Sequence, residues 1–290
     1  MTSVDRKSSL KKDAPIFLFS LDLEDVRAGL ADGERYCDRV EPNTRRYLQW
    51  LKMHNAQCTF FVVGEIARRY PELIRAIVAD GHEVASHSDQ HIPLTSMTPE
   101  QFKRDLSASL DAISRAGATN VKGFRAPIFS LVRRTQWAYP ILREFGLTYS
   151  SSVLPAKNPL HGWEGFSESP IMTDSGVYEI PMTLGQFGPL KIPVGGGVYF
   201  RAMPMPWINS QFRAARGQAL PILGYFHPYD IDSEQERFMH PGINNSRFFN
   251  FLMYCNRRSV FSRLDRVMNS GFRIVPYREF VASALARGDT

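Results

Sequence analysis

An α/β fold whose mostly parallel sheet curls into a distorted (β/α) barrel of about seven strands, within a single domain, is what this chain predicts. Three observations carry the expectation. Short apolar or β-rich runs alternate with stretches of helical spacing along nearly all of the 290 residues, as βα units around a parallel sheet require. No internal shift of composition marks a domain boundary. Apolar residues make up 43% and charged residues 22% of the chain, which suits a core-forming protein and excludes wholesale disorder, collagen-like repeats and extended coiled coil.

The elements follow in order. Ile16 to Leu21 (IFLFSL) is a continuous apolar run of strand length, the pattern of a strand buried on both faces. Asp22, Glu24 and Asp25 come directly after it. Tyr47, Leu48, Trp50 and Leu51 share one face of a helix over 43–54, and Cys58 to Val63 reads as a second strand. Ile66, Tyr70, Leu73, Ile74, Ile77 and Val78 recur at helical spacing and predict one helix closed by Gly81, after which His82 to Ser86 (HEVAS) is a third strand. Thr98-Pro99-Glu100-Gln101 reads as a capping box with proline at the first helical position, and Phe102, Leu106, Leu110 and Ile113 supply that helix with its buried stripe. A strand at Val121 to Phe124, a helix over 135–145 and a strand at Leu147 to Ser151 continue the alternation.

Residues 152–176 are rich in Pro, Gly, Ser and Glu. They predict a loop far longer than the usual connection of about 4–6 residues, a length associated with function. A strand at Val177 to Met182, a Gly-rich stretch over 185–197, a helix near 207–216 and a strand at Leu220 to Phe226 come next. A helix over 246–269, a strand at Phe272 to Val275 and a terminal helix complete the chain.

Thirty-five Lys and Arg against 29 Asp and Glu give a net charge of +6. The positives lie in scattered pairs such as Arg45-Arg46, Arg68-Arg69, Arg133-Arg134 and Arg257-Arg258, without the long basic stripe that tracks nucleic acid. Weak attraction to anionic glycans, phosphates or a membrane surface is compatible with that balance. Cys37, Cys58 and Cys255 carry no C-x-x-C spacing, so neither a disulfide framework nor a cysteine zinc site is indicated, and a reducing compartment fits. Residues 1–14 are polar and predict a loose N-terminal tail without the apolar run of a secretory signal. No stretch reaches the ~20 apolar residues that span a bilayer. A soluble, cytoplasmic protein is expected.

In sheets of this kind the chemistry sits where the strands end at their carboxyl edges. Asp22, Glu24 and Asp25 follow the first strand, His87 and His91 follow HEVAS, Arg125 follows Val121 to Phe124, and His227 follows the strand ending at Phe226. In Ser86-His87-Ser88-Asp89-Gln90-His91 two imidazoles four residues apart, on a helical turn or in a tight loop, suit one divalent ion, with a carboxylate from the first strand as third ligand. The H-E-x-x-H protease helix is absent, because residue 88 is Ser. Three acids in four positions repel one another unless a cation compensates, so they read as metal ligand plus general base. Arg125 fits as the partner that orients Asp22, and His227 as the proton donor that a metal hydrolase still needs.

At these residues the chain resembles the NodB-homology polysaccharide deacetylases, carbohydrate esterase family 4. The motifs that carry the resemblance are Ser20-Leu21-Asp22-Leu23-Glu24-Asp25, Cys58-Thr59-Phe60-Phe61-Val62, Ser86 to His91, Arg125-Ala126-Pro127 and Tyr225-Phe226-His227-Pro228, in the family's order. The Asp-x-Glu-Asp opening, Gly195-Gly196-Gly197-Val198-Tyr199-Phe200-Arg201 and His227-Pro228-Tyr229-Asp230-Ile231-Asp232 are most similar to the branch found in exopolysaccharide and O-antigen loci. The resemblance implies one catalytic domain over 15–290, with a C-terminal extension from about residue 228, that hydrolyses an N-acetyl group from an amino sugar. It implies Asp22 as general base, His227 as general acid, Arg125 as the group that orients the base, and His87 and His91 as ligands of Zn2+ or another divalent metal. Two adjacent aspartates open the usual family motif. Here Leu23 and Glu24 intervene, so Glu24 and Asp25 compete for the carboxylate ligand, and Glu179 or Asp230 stands in for the acid that tunes the catalytic histidine. Tyr199, Gly196, Pro127 and Trp163 are candidate substrate-binding positions. The expected partner is an N-acetylated saccharide or its lipid- or nucleotide-linked precursor, with no nucleic acid and no transmembrane segment. Two alternatives stay open: a deformylase or other linear-amide hydrolase, and a non-catalytic glycan-binding protein.

Overall fold

The computed structural model describes residues 14–158, 161–218 and 220–288. Apart from Ala14, the expected N-terminal tail lies outside the described residues. The strands are β1 (Ile16–Leu23), β2 (Thr59–Val62), β3 (Glu83–Ser86), β4 (Gly123–Phe124), β5 (Tyr149–Ser150), β6 (Ile171–Met172), β7 (Tyr178–Glu179), β8 (Leu184–Phe187), β9 (Leu190–Pro193), β10 (Ile222–Phe226) and β11 (Arg273–Ile274). Nine of them form one curled sheet in the order β10-β1-β2-β3-β4-β5-β7-β6, with β11 beside the start of β1, and every pairing is parallel except β6 with β7.

The chain is thus a single mixed α/β domain built on a parallel half-barrel. Among the described residues nine strands stand in this sheet where about seven were expected: β11 answers to the strand expected at Phe272 to Val275, and β6 is added because the long loop folds back on β7. The barrel stays open between β10 and the β6 edge, since after β7 the chain leaves the sheet for the separate hairpin β8–β9. Thr183 spans the seam instead, its hydroxyl accepting from Leu223 N at 2.8 Å and its carbonyl accepting from Val194 N at 3.3 Å.

Strand alternation decides what faces the interior. On β1, Phe17, Phe19, Leu21 and Leu23 pack outward against the helices, whereas Leu18 joins an inner cluster with Phe61, Ala85 and Tyr277. Ser20 and Asp22 share the parity of Leu18, so the same period that buries Leu18 carries a carboxylate into the barrel. Burial of each outer phenylalanine contributes about 1.5–3 kcal/mol, enough to hold this polar inner row in register.

The helices are α1 (Val40–Met53), α2 (Gly64–Arg69), α3 (Pro71–Ala79), α4 (Pro99–Arg115), α5 (Ala138–Glu144), α6 (Gly197–Ala202), α7 (Met205–Gly217), α8 (Arg247–Tyr254), α9 (Val260–Asn269) and α10 (Tyr277–Arg287). The Thr98 capping box forms both bonds, Gln101 N to Thr98 Oγ1 at 3.2 Å and Thr98 N to Gln101 Oε1 at 2.7 Å. Two expected single helices are broken. Tyr70, held at φ −129° before Pro71, separates α2 from α3, and Asn256, left-handed at φ 55°, separates α8 from the turn that leads into α9. Among the described residues no helix is long and apolar enough to cross a membrane.

Candidate functional site

The ends of β1, β3, β4 and β10 deliver Asp22, His87, Arg125 and His227 to one edge of the sheet. Asp22 is buried and accepts from Arg125 Nη1 at 2.5 Å, and its other oxygen lies 3.9 Å from His87 Nε2. Arg125 is wholly enclosed. It also donates to Ser20 Oγ (2.8 Å), Ser151 O (3.1 Å), Ser151 Oγ (3.1 Å) and Tyr277 Oη (2.8 Å), with its guanidinium 3.9 Å above the Phe61 ring. A charge so deep in the protein is tolerable because each of its neighbours accepts a hydrogen bond or offers a π-face.

His87 donates from Nδ1 to the carbonyl of Arg125 at 2.8 Å, which leaves Nε2 as a lone-pair donor facing Asp22 and Glu24. The loop after it is tight and not helical. Ser88 and His91 both adopt left-handed φ, at 65° and 57°, and Ser88 Oγ accepts from His91 N at 2.9 Å. This turn brings the two imidazoles edge to face, 4.8 Å between centroids. His91 Nε2 lies 2.5 Å from Glu24 Oε2, and ligand atoms of Glu24, His87 and His91 fall within 4.8 Å of one another. Burial works to raise the Glu24 carboxyl, but His91, His227 and His87 together hold it down at about 2. Burial pushes the His87 imidazole down to about 4, so its neutral, ligand-competent form prevails at pH 7.

Of the two competing carboxylates, the structure brings Glu24 to the histidines and not Asp25. Asp25 caps the 3-10 turn Val26–Gly29 by accepting from Arg27 N, and its carboxylate is held by Arg27 Nη2 at 2.6 Å and Arg69 Nη1 at 3.0 Å. Two nearby guanidiniums and the turn geometry outweigh what the cluster offers it.

On the opposite side His227 lies 3.8 Å from Glu24 Oε1 through Nε2, while its Nδ1 is 2.9 Å from Asp230 Oδ2. Asp230 also accepts from His227 N (2.8 Å) and, through its other oxygen, from Arg201 Nε (2.9 Å), with both partners of that ion pair completely buried. Burial alone would lower the His227 imidazole, yet the Asp230 carboxylate raises it to about 9. Glu179 is employed elsewhere. It accepts from Ser152 N, Val153 N and Tyr139 Oη and so pins the exit of β5. Tyr229 stacks on His227 at 4.6 Å, and a small cleft lined by Glu24, Arg27, Cys37, Tyr229, Glu236 and Phe238 opens beside the group.

None of the four candidate substrate positions lies in the Glu24–His87–His91 ligand group. Gly196 is buried where an added Cβ would sit 1.9 Å from the carbonyl of Tyr225, so its lack of a side chain serves the contact with β10. Pro127 is buried at the start of the 3-10 turn Pro127–Phe129. Trp163 packs half-buried on Phe166 at 4.8 Å. Tyr199 lies half-buried on α6. Sequence reasoning passed over Ser151 and Tyr277 around Arg125, and quoted within motifs but gave no role to Ser20 and to Tyr225, whose ring meets Phe129 at 5.3 Å and His227 at 6.1 Å. Position was the available signal, since Ser151 and Tyr277 follow β5 and β11 as the recognised groups follow other strands.

Residues 32–150 match the family model for polysaccharide deacetylases, and residues 151–282 match a model described as a domain of unknown function, DUF3473. The peptidoglycan-N-acetylglucosamine deacetylase of Bacillus cereus is 26% identical over 96 residues, 33% of this chain and 35% of that protein. A chitooligosaccharide deacetylase of Sinorhizobium fredii is 38% identical over 85 residues, 29% of this chain and 40% of that protein. The chain therefore spans well under half the length of these curated relatives. Among solved structures, a Mycobacterium smegmatis protein described as a polysaccharide deacetylase superposes with a TM-score of 0.61 at 19% identity, covering 95% of this chain and 94% of that one. An allantoinase gives 0.58 at 13% identity, covering 94% and 91%. A carbohydrate esterase family 4 pseudoenzyme from Bacillus anthracis gives 0.51 at 11%, covering 92% of this chain and 65% of that one. Such likeness shows the fold, which unlike chemistries share. Over residues 32–150 the chain is thus similar to the polysaccharide deacetylases, and over nearly its whole length it shares a fold with the solved structures just named.

Proposed function

We infer that the protein is a metal-dependent hydrolase that removes an N-acetyl group from an amino sugar, in the exopolysaccharide and O-antigen branch of its family. One observation carries the reading. The Glu24–His87–His91 group sits between a carboxylate backed by a buried guanidinium and an imidazole backed by a buried carboxylate. Two imidazoles and a carboxylate within 4.8 Å suit zinc, and sets of this kind also accept other divalent ions. Glu24, His87 through Nε2 and His91 would hold the ion. When bound, it supplies Lewis-acid polarisation of the amide carbonyl and acidifies water.

The remaining work belongs to the chain. Asp22, fixed in direction by Arg125, accepts a proton from the attacking water. His227, protonated against Asp230, hands a proton to the departing nitrogen, and water plus amide become acetate plus amine. Tyr199 and Trp163, both half-buried, are the two aromatics among the four candidate substrate positions that retain a partly open face for a sugar. The free cysteines Cys37, Cys58 and Cys255 accord with action in the cytoplasm, on a saccharide or its lipid- or nucleotide-linked precursor. The segment from about residue 228, which carries Asp230, is read as an extension of a single catalytic domain.

Metal analysis of the purified chain, joined to acetate and formate assays on N-acylated amino sugars, tests this reading. The expected result is about one divalent ion per chain and acetate release that a chelator abolishes. Glu24→Gln lowers metal affinity by at least the roughly 10–100-fold that loss of a group merely orienting a ligand costs, while Asp25→Asn leaves it intact. Formate in place of acetate identifies a deformylase. A chain that binds glycan and releases neither acid is the non-catalytic alternative.

A further inference from the structure

From Arg237 to Leu264 the sequence holds no acidic residue and five arginines, at 237, 247, 257, 258 and 263. Helix α8 lies within that stretch and has no buried residue. It turns Phe248, Phe249 and Phe251 outward at 65%, 56% and 63% exposure. At about 100° per residue these rings and Leu252 form one continuous apolar face, where single scattered phenylalanines would need no explanation. On the same segment Arg237, Arg247 and Arg258 are exposed, and among the described residues none of the three enters an ion pair, Arg237 lying 4.2 Å over the Tyr254 ring.

The face is presented from a firm base. Arg201 Nη1 donates to the carbonyls of Leu252 (3.4 Å), Met253 (3.2 Å) and Cys255 (2.7 Å) at the end of α8. Asn250 donates to Phe238 O at 3.1 Å and accepts from His240 N at 3.0 Å, so the polar side of the helix is bonded inward while its rings point away.

We propose that this face docks on an anionic phospholipid bilayer, the phenyl rings entering the boundary between headgroups and acyl chains and the exposed guanidiniums resting among the phosphates. Eight residues are too few to span a membrane, so α8 lies in its plane. Charge favours lipid over a second copy of the chain. A two-fold contact would set Arg237, Arg247 and Arg258 against their own equivalents, with no acid on the segment to meet them. The inference stands apart from the hydrolase reading, because binding requires no turnover.

Sedimentation of the full chain with vesicles tests it, comparing phosphatidylcholine alone with an equal mixture of phosphatidylcholine and phosphatidylglycerol. The chain is expected to bind the mixed vesicles, to ignore the neutral ones, and to be released near ~1 M salt, where the Debye length falls to about 3 Å. The triple variant Phe248→Ser/Phe249→Ser/Phe251→Ser and the double variant Arg247→Gln/Arg258→Gln each weaken binding about tenfold or more. Unchanged unfolding midpoints would show that both variants keep the fold. Should the triple variant misfold, the arginine pair and the salt titration decide. Failure to bind mixed vesicles, equal binding by folded triple variant and parent, or a parent dimer that the triple variant turns into a monomer overturns the proposal.

Discussion

Asp22 and His227 face the same centre from opposite halves of the chain, and each is backed by opposite charge in alternation. Behind Asp22 lies Arg125, and behind His227 lie Asp230 and then Arg201. The supports differ. Arg125 is enclosed by groups at strand ends, Ser20 on β1, Ser151 after β5 and Tyr277 after β11. Arg201 instead reaches the last carbonyls of α8, a helix with no buried residue. The first clamp closes within the barrel, whereas the second ends at the periphery, so disturbances of the outer segment should reach His227 before they reach Asp22.

The largest expected effect breaks the inner clamp. Asp22→Asn lowers turnover about 10²–10⁴-fold if Asp22 is the base, and by leaving Arg125 buried without an anion it costs about 3–5 kcal/mol of stability. Acetate-release rates and denaturant unfolding measure the two separately. Full stability in the variant would mean that serine and tyrosine oxygens satisfy Arg125 unaided, and the parallel between the clamps would fail.

Breaking the outer clamp should do less. Arg201→Met leaves Asp230 without its cation and lowers turnover about 10–100-fold, as loss of a group that positions a reacting residue does. Amide exchange should quicken over 247–255 while β1 to β3 keep their protection. Equal loosening of β1 to β3 would show that the two halves do not separate.

The smallest effect compares the halves through buried histidines outside the centre. Burial lowers His82 to about 4, and burial with Arg257 lowers His240 to about 3. Both folded values lie below the ordinary 6.5, so the unfolded chain takes up protons first. Stability is full above pH 6.5 and falls as pH drops towards 4, by on the order of 2 kcal/mol per histidine. Thermal unfolding between pH 6.5 and 4 should show the fall, and His82→Gln should flatten part of it.

The regular half was the more legible. From Ile16 to Ser151 the runs of period two and 3.6 located strands and helices, because each unit buries one face against its neighbour. The misplaced boundaries lie where a local preference overrides that pattern. Pro71 forces Tyr70 out of the helical region, and Asn256 takes a left-handed turn within an otherwise helical run. In the second half Gly195 to Gly197 hid the start of α6, since their small size answers to the approach of β10 and not to helix propensity. At the site, strand-end position brought into view Asp22, His87, Arg125 and His227, which the structure gathers at one edge of the sheet. The choice between Glu24 and Asp25 was not legible, because it depends on Arg69, distant in sequence yet 3.0 Å from Asp25 in space.

Tyr277 opens α10 and donates its backbone N–H to Thr59 Oγ1 at 2.9 Å, while its hydroxyl accepts from Arg125. Arg125 therefore waits on a group that lies 152 residues further along the chain. A ribosome that stalls before β11 releases a chain whose Arg125 still lacks one of its acceptors and whose β1 lacks a flanking strand. If the centre is catalytic, truncation before Tyr277 should yield silent protein rather than a weakened catalyst.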